Sequence, residues 1–139
     1  MPSAFVTGGS GFIGGALIRR LAGEGWSVRA LARSDSSEAK VRQAGAEPVR
    51  GDLDDAAAMR AGAEGCEYAF HAAAKVGDWG PREEFERLNV EGTKNALNAC
   101  EQGGVRRFVH VGTEAALLAG QPLVNANESA PLRPDSPVL

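Results

Sequence analysis

The stretch Thr7-Gly8-Gly9-Ser10-Gly11-Phe12-Ile13-Gly14 decides how the chain is read. Ahead of it, Ala4-Phe5-Val6 is a short apolar run of the kind that forms a buried strand. After it, Ala16-Leu17-Ile18-Arg19-Arg20-Leu21-Ala22 carries apolar residues at helical spacing. A strand, a glycine-punctuated turn and a helix make up the context in which Gly8, Gly11 and Gly14 point to a phosphate. Gly8 suits a tight turn. Gly11 lets backbone N–H groups approach a phosphate with no side chain between them. Gly14 lets the helix lie close against the strand, and the positive end of the helix dipole then faces a diphosphate.

Outward from this unit, strands and helices alternate. Gly23-Glu24-Gly25 closes the first helix. Ser27–Ala32 reads as a second strand. Ser36 and Ser37 offer caps for a short helix running to Ala44, which Gly45 ends. Glu47–Arg50 is a third strand, and Asp54 and Asp55 place negative charge at the start of a helix over Ala56–Ala61. Tyr68–Ala72 is a fourth strand that opens into Ala73-Ala74-Lys75. Pro81 suits the first turn of a long helix to about Gln102, which Gly103-Gly104 stops, and Phe108–Val111 is a fifth strand. This alternation predicts an α/β fold, a Rossmann-like doubly wound parallel sheet in the order 3-2-1-4-5. The ligand is expected over the carboxyl ends of strands 1 and 4.

A chain of 139 residues suits one domain over 1–139, with 119–139 as an extended, proline-rich tail. The net charge of −3 and the lack of a lysine/arginine block give no electrostatic support for nucleic-acid or membrane-surface binding. No stretch approaches a membrane-spanning length. Cys66 and Cys100 form no C-x-x-C pair and read as reduced thiols, so no metal site is expected and a cytoplasmic location is.

With Phe12-Ile13 inside it, the glycine stretch resembles the extended short-chain dehydrogenase/reductase family, whose members often begin T-G-x-x-G-F-I-G. A second match is Asn89-Val90-Glu91-Gly92-Thr93, similar to the family's N-V-x-G-T. The resemblance runs from Ala4 to about Pro134. It implies a nicotinamide dinucleotide held by Gly8, Gly11, Phe12, Ile13 and Gly14, and the residues at the end of strand two then choose the cofactor. An acid there would take the ribose hydroxyls of NAD and repel a 2′-phosphate. The slot here is Ala32, followed by Arg33 and Ser34, and arginine can pair with a phosphate. NADP is therefore expected ahead of NAD, with Asp35 as the rival NAD ligand if the strand ends elsewhere.

By the same resemblance, Asp52 would receive the adenine amino group and Leu53 cover the ring. The small residues Ala72, Ala73 and Ala74 after His71 would let the backbone run beside the cofactor, and His71 itself reads as a packed strand histidine. Asn89 shares a helix face with Gly92 and Ala96 and is expected near the active site, supporting a proton relay or the cofactor loop. Gly92 is expected to mark close packing on the sheet. Thr113 stands where the family has the second of two serines, whose hydroxyl holds the substrate oxygen. Asn89 and Thr113 are thus the candidate catalytic residues.

The resemblance breaks at the proton donor. The family uses the tyrosine of Y-x-x-x-K, whereas the single tyrosine here, Tyr68, has Ala72 four residues on and lies at the wrong point of the fold. In relatives that motif follows a segment like Asp135–Leu139. The expectation is a front portion of a larger reductase, inactive alone, with a small-molecule alcohol or ketone as substrate. Gly104 to Val109 and Asn127-Glu128-Ser129 follow the steroid dehydrogenase and dihydroflavonol reductase branch. A nucleotide-sugar epimerase or dehydratase, or a non-catalytic NADP-binding module, is the alternative. Strand five or its neighbour is expected to be an exposed edge that invites pairing with another chain, and with it a homo-oligomer.

Overall fold

The apolar residues of the first strand divide between two faces, and the whole architecture follows from that division. In the computed structural model, which describes residues 1–118 and 120–133, this strand is β1 (Ser3–Thr7). Ala4 and Val6 point to one side and Phe5 to the other, as the two-residue period of a strand requires. The other strands are β2 (Ser27–Ala32), β3 (Glu47–Arg50), β4 (Tyr68–His71) and β5 (Arg107–His110). All pairings are parallel and the order is β3-β2-β1-β4-β5, as expected.

On the first face, Ala4, Val6, Val28 and Ala30 meet Ile18 and Leu21 of α1 (Phe12–Gly23) and Val41 of α2 (Asp35–Ala44). On the second, Phe5, Leu31 and Ala69 meet Met59 and Ala63 of α3 (Ala56–Ala63) and Ala96, Ala99 and Cys100 further on. A Cβ at Gly62 would overlap the Phe5 ring, so the glycine is what lets α3 approach β1. Arg29 of β2 donates to the carbonyls of Ala61 and Glu64, placing a cation at the C-terminus of α3. Burying side chains such as Phe5 and Ile18 contributes about 1.5–3 kcal/mol each.

The long helix expected from Pro81 to Gln102 forms in three parts. α4 (Arg82–Phe85) runs into a wider π-helical segment, Glu86–Glu91, and then α5 (Gly92–Gln102). The atoms nearest a Cβ placed on Gly92 belong to the side chain of Leu53, in the loop after β3. Helix α1 starts four residues earlier than its apolar spacing indicates, at Phe12. The N-cap of α2 is Ser34, not Ser36 or Ser37. Its hydroxyl accepts from the Ser37 backbone at 3.1 Å and the Ser37 hydroxyl accepts from the Ser34 backbone at 2.9 Å, a reciprocal box that satisfies two N–H groups. After β5, Glu114–Leu117 makes one short 3₁₀ turn, and residues 120–133 hold no helix or strand. The segment expected to lead toward Y-x-x-x-K lies outside the described residues.

Candidate nucleotide-binding site

The carboxyl ends of β1 and β4 lie side by side, and the chain leaves them in opposite directions. This is the crevice in which open α/β sheets bind ligands. Gly8 turns the chain out of β1 with φ +72°, a conformation that L side chains rarely adopt. A Cβ there would also stand 2.6 Å from the backbone of Ala72 and Ala73, so the loop after β4 lies directly on the turn. A Cβ at Gly14 would collide with the Gly8 carbonyl oxygen, so this glycine seats α1 against the turn itself.

Gly11 is different. It is the N-cap of α1, extended at φ −86° and ψ −178°, exposed, and a Cβ on it would meet only the Gly8 carbonyl oxygen at 3.3 Å. Among the described residues, its chain neighbours aside, no other atom lies within 4 Å of that Cβ position. The first-turn N–H groups of Phe12, Ile13 and Gly14 have no intrahelical acceptor and no capping side chain, and no acidic residue stands in that turn. The Phe12 side chain is 93% exposed and that of Ile13 is exposed as well, so what these residues turn toward the crevice is backbone.

Two cavities meet at Ser10. One, of about 470 Å³, is lined by Leu31, Ala32, Arg33, Ser37, Gly51, Asp52 and Leu53 on one side and by Ala73, Ala74, Lys75, Glu84, Arg87 and Leu88 on the other. The second, of about 410 Å³, lies against Gly9, Gly11 and Gly15 with Arg19, Lys40, Gln43 and Ala44. Arg33, Asp52, Leu53, Ala73 and Ala74 are therefore brought together around one cavity. Asp52 accepts from the Leu53 N–H at 2.8 Å, and Asn95 of α5 donates to the Leu53 carbonyl at 2.9 Å, which fixes this wall. Arg19 and Lys40 escaped sequence reasoning. Their positions at helical spacing look like any solvated cation, and only the packing of α1 on α2 places them by the glycine turn.

Other expected residues stand elsewhere. The hydroxyl of Ser34 is engaged in the α2 capping box, so its side chain is a helix cap before anything else. Asp35 is exposed and paired with Arg50 at 2.8 Å, which also meets Glu38 at 3.3 Å, so its carboxylate is drawn to β3. Thr113 is exposed and caps the 3₁₀ turn, accepting from the Ala115 N–H at 3.2 Å, with its own proton left to donate. Asn89 spends its amide on one residue: Oδ1 accepts from the Lys75 N–H at 2.7 Å and Nδ2 donates to the Lys75 carbonyl at 3.0 Å. The two bonds make Asn89 a clamp on the loop after β4, with one Nδ2–H and one Oδ1 lone pair left over.

A parallel sheet of this order, a glycine turn at the switch point and a bare helix N-terminus define a dinucleotide-binding α/β domain. The chain belongs to the NAD dependent epimerase/dehydratase family, whose model matches residues 4–137, and so to the extended short-chain dehydrogenases/reductases. It is 44% identical over 128 residues to 4-hydroxy-2-methyl-3-oxo-4-farnesyl-3,4-dihydroquinoline-1-oxide ketoreductase of Stigmatella aurantiaca, covering 92% of this chain and 38% of that one. A 2-alkyl-3-oxoalkanoate reductase of Shewanella oneidensis is 35% identical over 128 residues, with 92% and 33% covered. Among solved structures, a short-chain dehydrogenase/reductase superfamily protein from Agrobacterium tumefaciens with bound NAD superposes with a TM-score of 0.80 at 32% identity. The match covers 97% of this chain and 40% of that one. The chain thus spans well under half the length of these relatives. Among the described residues no helix is long and apolar enough to cross a membrane, and no cluster of three metal-ligating side chains occurs.

Proposed function

We propose that this chain is the dinucleotide-binding part of an NADP-linked reductase that interconverts a ketone and a secondary alcohol. The observation that carries the reading is the uncapped N-terminus of α1 beneath an extended, exposed Gly11. Three N–H groups and the helix dipole there want an anion, and the space a side chain would fill suits a phosphate oxygen. Gly8, Phe12, Ile13 and Gly14 supply the turn and the backbone donors. Asp52 and Leu53 form the adenine end of the larger cavity, and Ala72, Ala73 and Ala74 the strip beside the ribose. When bound, the nicotinamide supplies or accepts the hydride. Thr113, with its hydroxyl proton free, holds the substrate oxygen, and Asn89 acts through the loop it clamps.

For NADP over NAD the support is electrostatic. Arg33 lines the first cavity, and Arg19 and Lys40 line the second, where no carboxylate stands among the described lining residues. The rival acid, Asp35, is neutralised by Arg50. A small-molecule ketone as substrate follows the names of the two reductases, and the steroid dehydrogenase and dihydroflavonol reductase branch is the one the sequence favours. A second reading, an NAD-linked enzyme of the epimerase or dehydratase kind, draws on the NAD held by the Agrobacterium protein. Cytoplasmic location and self-association through the outer edge of β5 belong to the same proposal, and light scattering across a wide concentration range checks the latter. Titration calorimetry with NADPH and NADH tests the cofactor. Tighter NADPH binding is expected, and equal or reversed affinities would contradict the NADP assignment.

A further inference from the structure

His71 ends β4 and is only 1% exposed, yet both its ring nitrogens are engaged. Nδ1 lies 2.7 Å from the Thr7 hydroxyl of β1, and Nε2 lies 3.0 Å from the Thr93 hydroxyl of α5. The direction of these bonds can be deduced. The Thr93 hydroxyl donates its single proton to the Asn89 carbonyl at 2.6 Å, since a carbonyl can only accept. Thr93 must therefore accept from His71 Nε2–H. A neutral ring then has its lone pair on Nδ1, which accepts from the Thr7 hydroxyl, and the Thr7 oxygen remains free to accept the Ala73 N–H at 3.4 Å. The ring is neutral near physiological pH because burial, and after it the charge of His110 stacked 5.6 Å away on β5, lower its pKa to about 4. The groups that face it from β1 and α5, Thr7 and Thr93, carry no charge.

The chain of bonds ends where the ligand is expected. Thr7 holds Ala73, Asn89 holds both backbone groups of Lys75, and Ala73, Ala74 and Lys75 form one wall of the larger cavity. We propose that His71 is a positioning residue for dinucleotide binding: as the Nε2–H tautomer it joins two tethers that hold both ends of the Ala73–Lys75 strip at the spacing the ligand needs. The proposal rests on the dinucleotide reading for its purpose, but its geometry is tested without ligand.

Nitrogen–proton correlation spectra of the histidine-labelled chain read the tautomer directly. A protonated Nε2 and bare Nδ1 at neutral pH are expected, and the opposite tautomer or an imidazolium would overturn the proposal. Thr93→Val keeps the volume and breaks the chain at a residue that lines neither cavity, and Thr93→Ser restores the hydroxyl. Valine should speed amide exchange at Ala73 and Lys75 and weaken NADPH binding, each by about tenfold, with serine recovering both. Exchange and affinity in the valine variant equal to the parent's would mean that His71 merely packs, and would overturn the proposal. If the parent itself fails to bind NADPH, the cofactor reading falls, while tautomer and exchange still decide what His71 does to the loop.

Discussion

Helices α1 and α2 start at the carboxyl ends of adjacent strands, yet their first turns are built in opposite ways. α2 begins with Ser34, whose hydroxyl and the hydroxyl of Ser37 exchange bonds with each other's backbone, and with Asp35 and Glu38 on its positive end. α1 begins with Gly11, has no side-chain cap and no acid in its first turn, and opens on a cavity. α3, too, is capped, by Asp55, which accepts from the Ala58 N–H at 2.9 Å. A cap is worth about 1 kcal/mol, and α1 forgoes it at the helix nearest the switch point. The difference is that, among the described residues, no side chain caps the first turn of α1, which is where the proposed phosphate would bind.

The largest expected effect breaks the α1 side outright. In Gly14→Val the new Cβ strikes the Gly8 carbonyl, a backbone atom with no room to move, so the variant should lose about 3 kcal/mol or more of stability. Urea unfolding measures it, and a variant as stable as the parent would mean that α1 is not seated on the turn.

A pH series sharpens the contrast next. The loop that lies on the α1 turn leaves β4 at His71, whose pKa is lowered from 6.5 to about 4 in the fold, whereas the α2 cap is serine and does not titrate. The unfolded chain takes up the His71 proton first as pH falls. This residue's contribution is therefore complete above about pH 6.5 and drains away toward pH 4, by roughly 3 kcal/mol in all. Unfolding curves across that window should show the slope for the parent and a shallower one for His71→Phe. Equal slopes would remove His71 from the account.

The smallest effect falls on α2. Ser34→Ala should cost about 1 kcal/mol through the lost cap and leave NADPH affinity close to the parent's. A large loss of affinity with little change in stability would return Ser34 to the ligand set.

The topology was legible because it rests on local patterns: the two-faced alternation of β1, the glycine stops and the helical spacing of α1. The capping of α2 was misread since Ser34, Ser36 and Ser37 are chemically equal candidates in sequence, and only the start of the helix at Asp35 selects one. The π-helical widening at Glu86–Glu91 leaves no signature in residues that suit any helix. Asp52, Leu53, Ala73 and Ala74 could be grouped from sequence, and the structure places them around one cavity. The hydrogen-bonded chain through His71 could not be read. Its members Thr7, His71, Asn89 and Thr93 come from four segments, β1, β4, the π-helical turn and α5, and each alone is an ordinary polar residue.

The central claim is that the bare end of α1 is kept for a phosphate, and Gly11 isolates it. Because Gly11 is extended and exposed, a branched side chain is tolerated by the backbone, with one 3.3 Å contact to the Gly8 carbonyl to relieve. Gly11→Val should therefore fold with little loss of thermal stability while filling the space the phosphate oxygens need. Titration of this variant with NADPH is the direct measurement. The account predicts that binding is lost while the unfolding midpoint stays near the parent's. Binding at the parent's affinity would contradict it, and the glycines would then serve the turn alone.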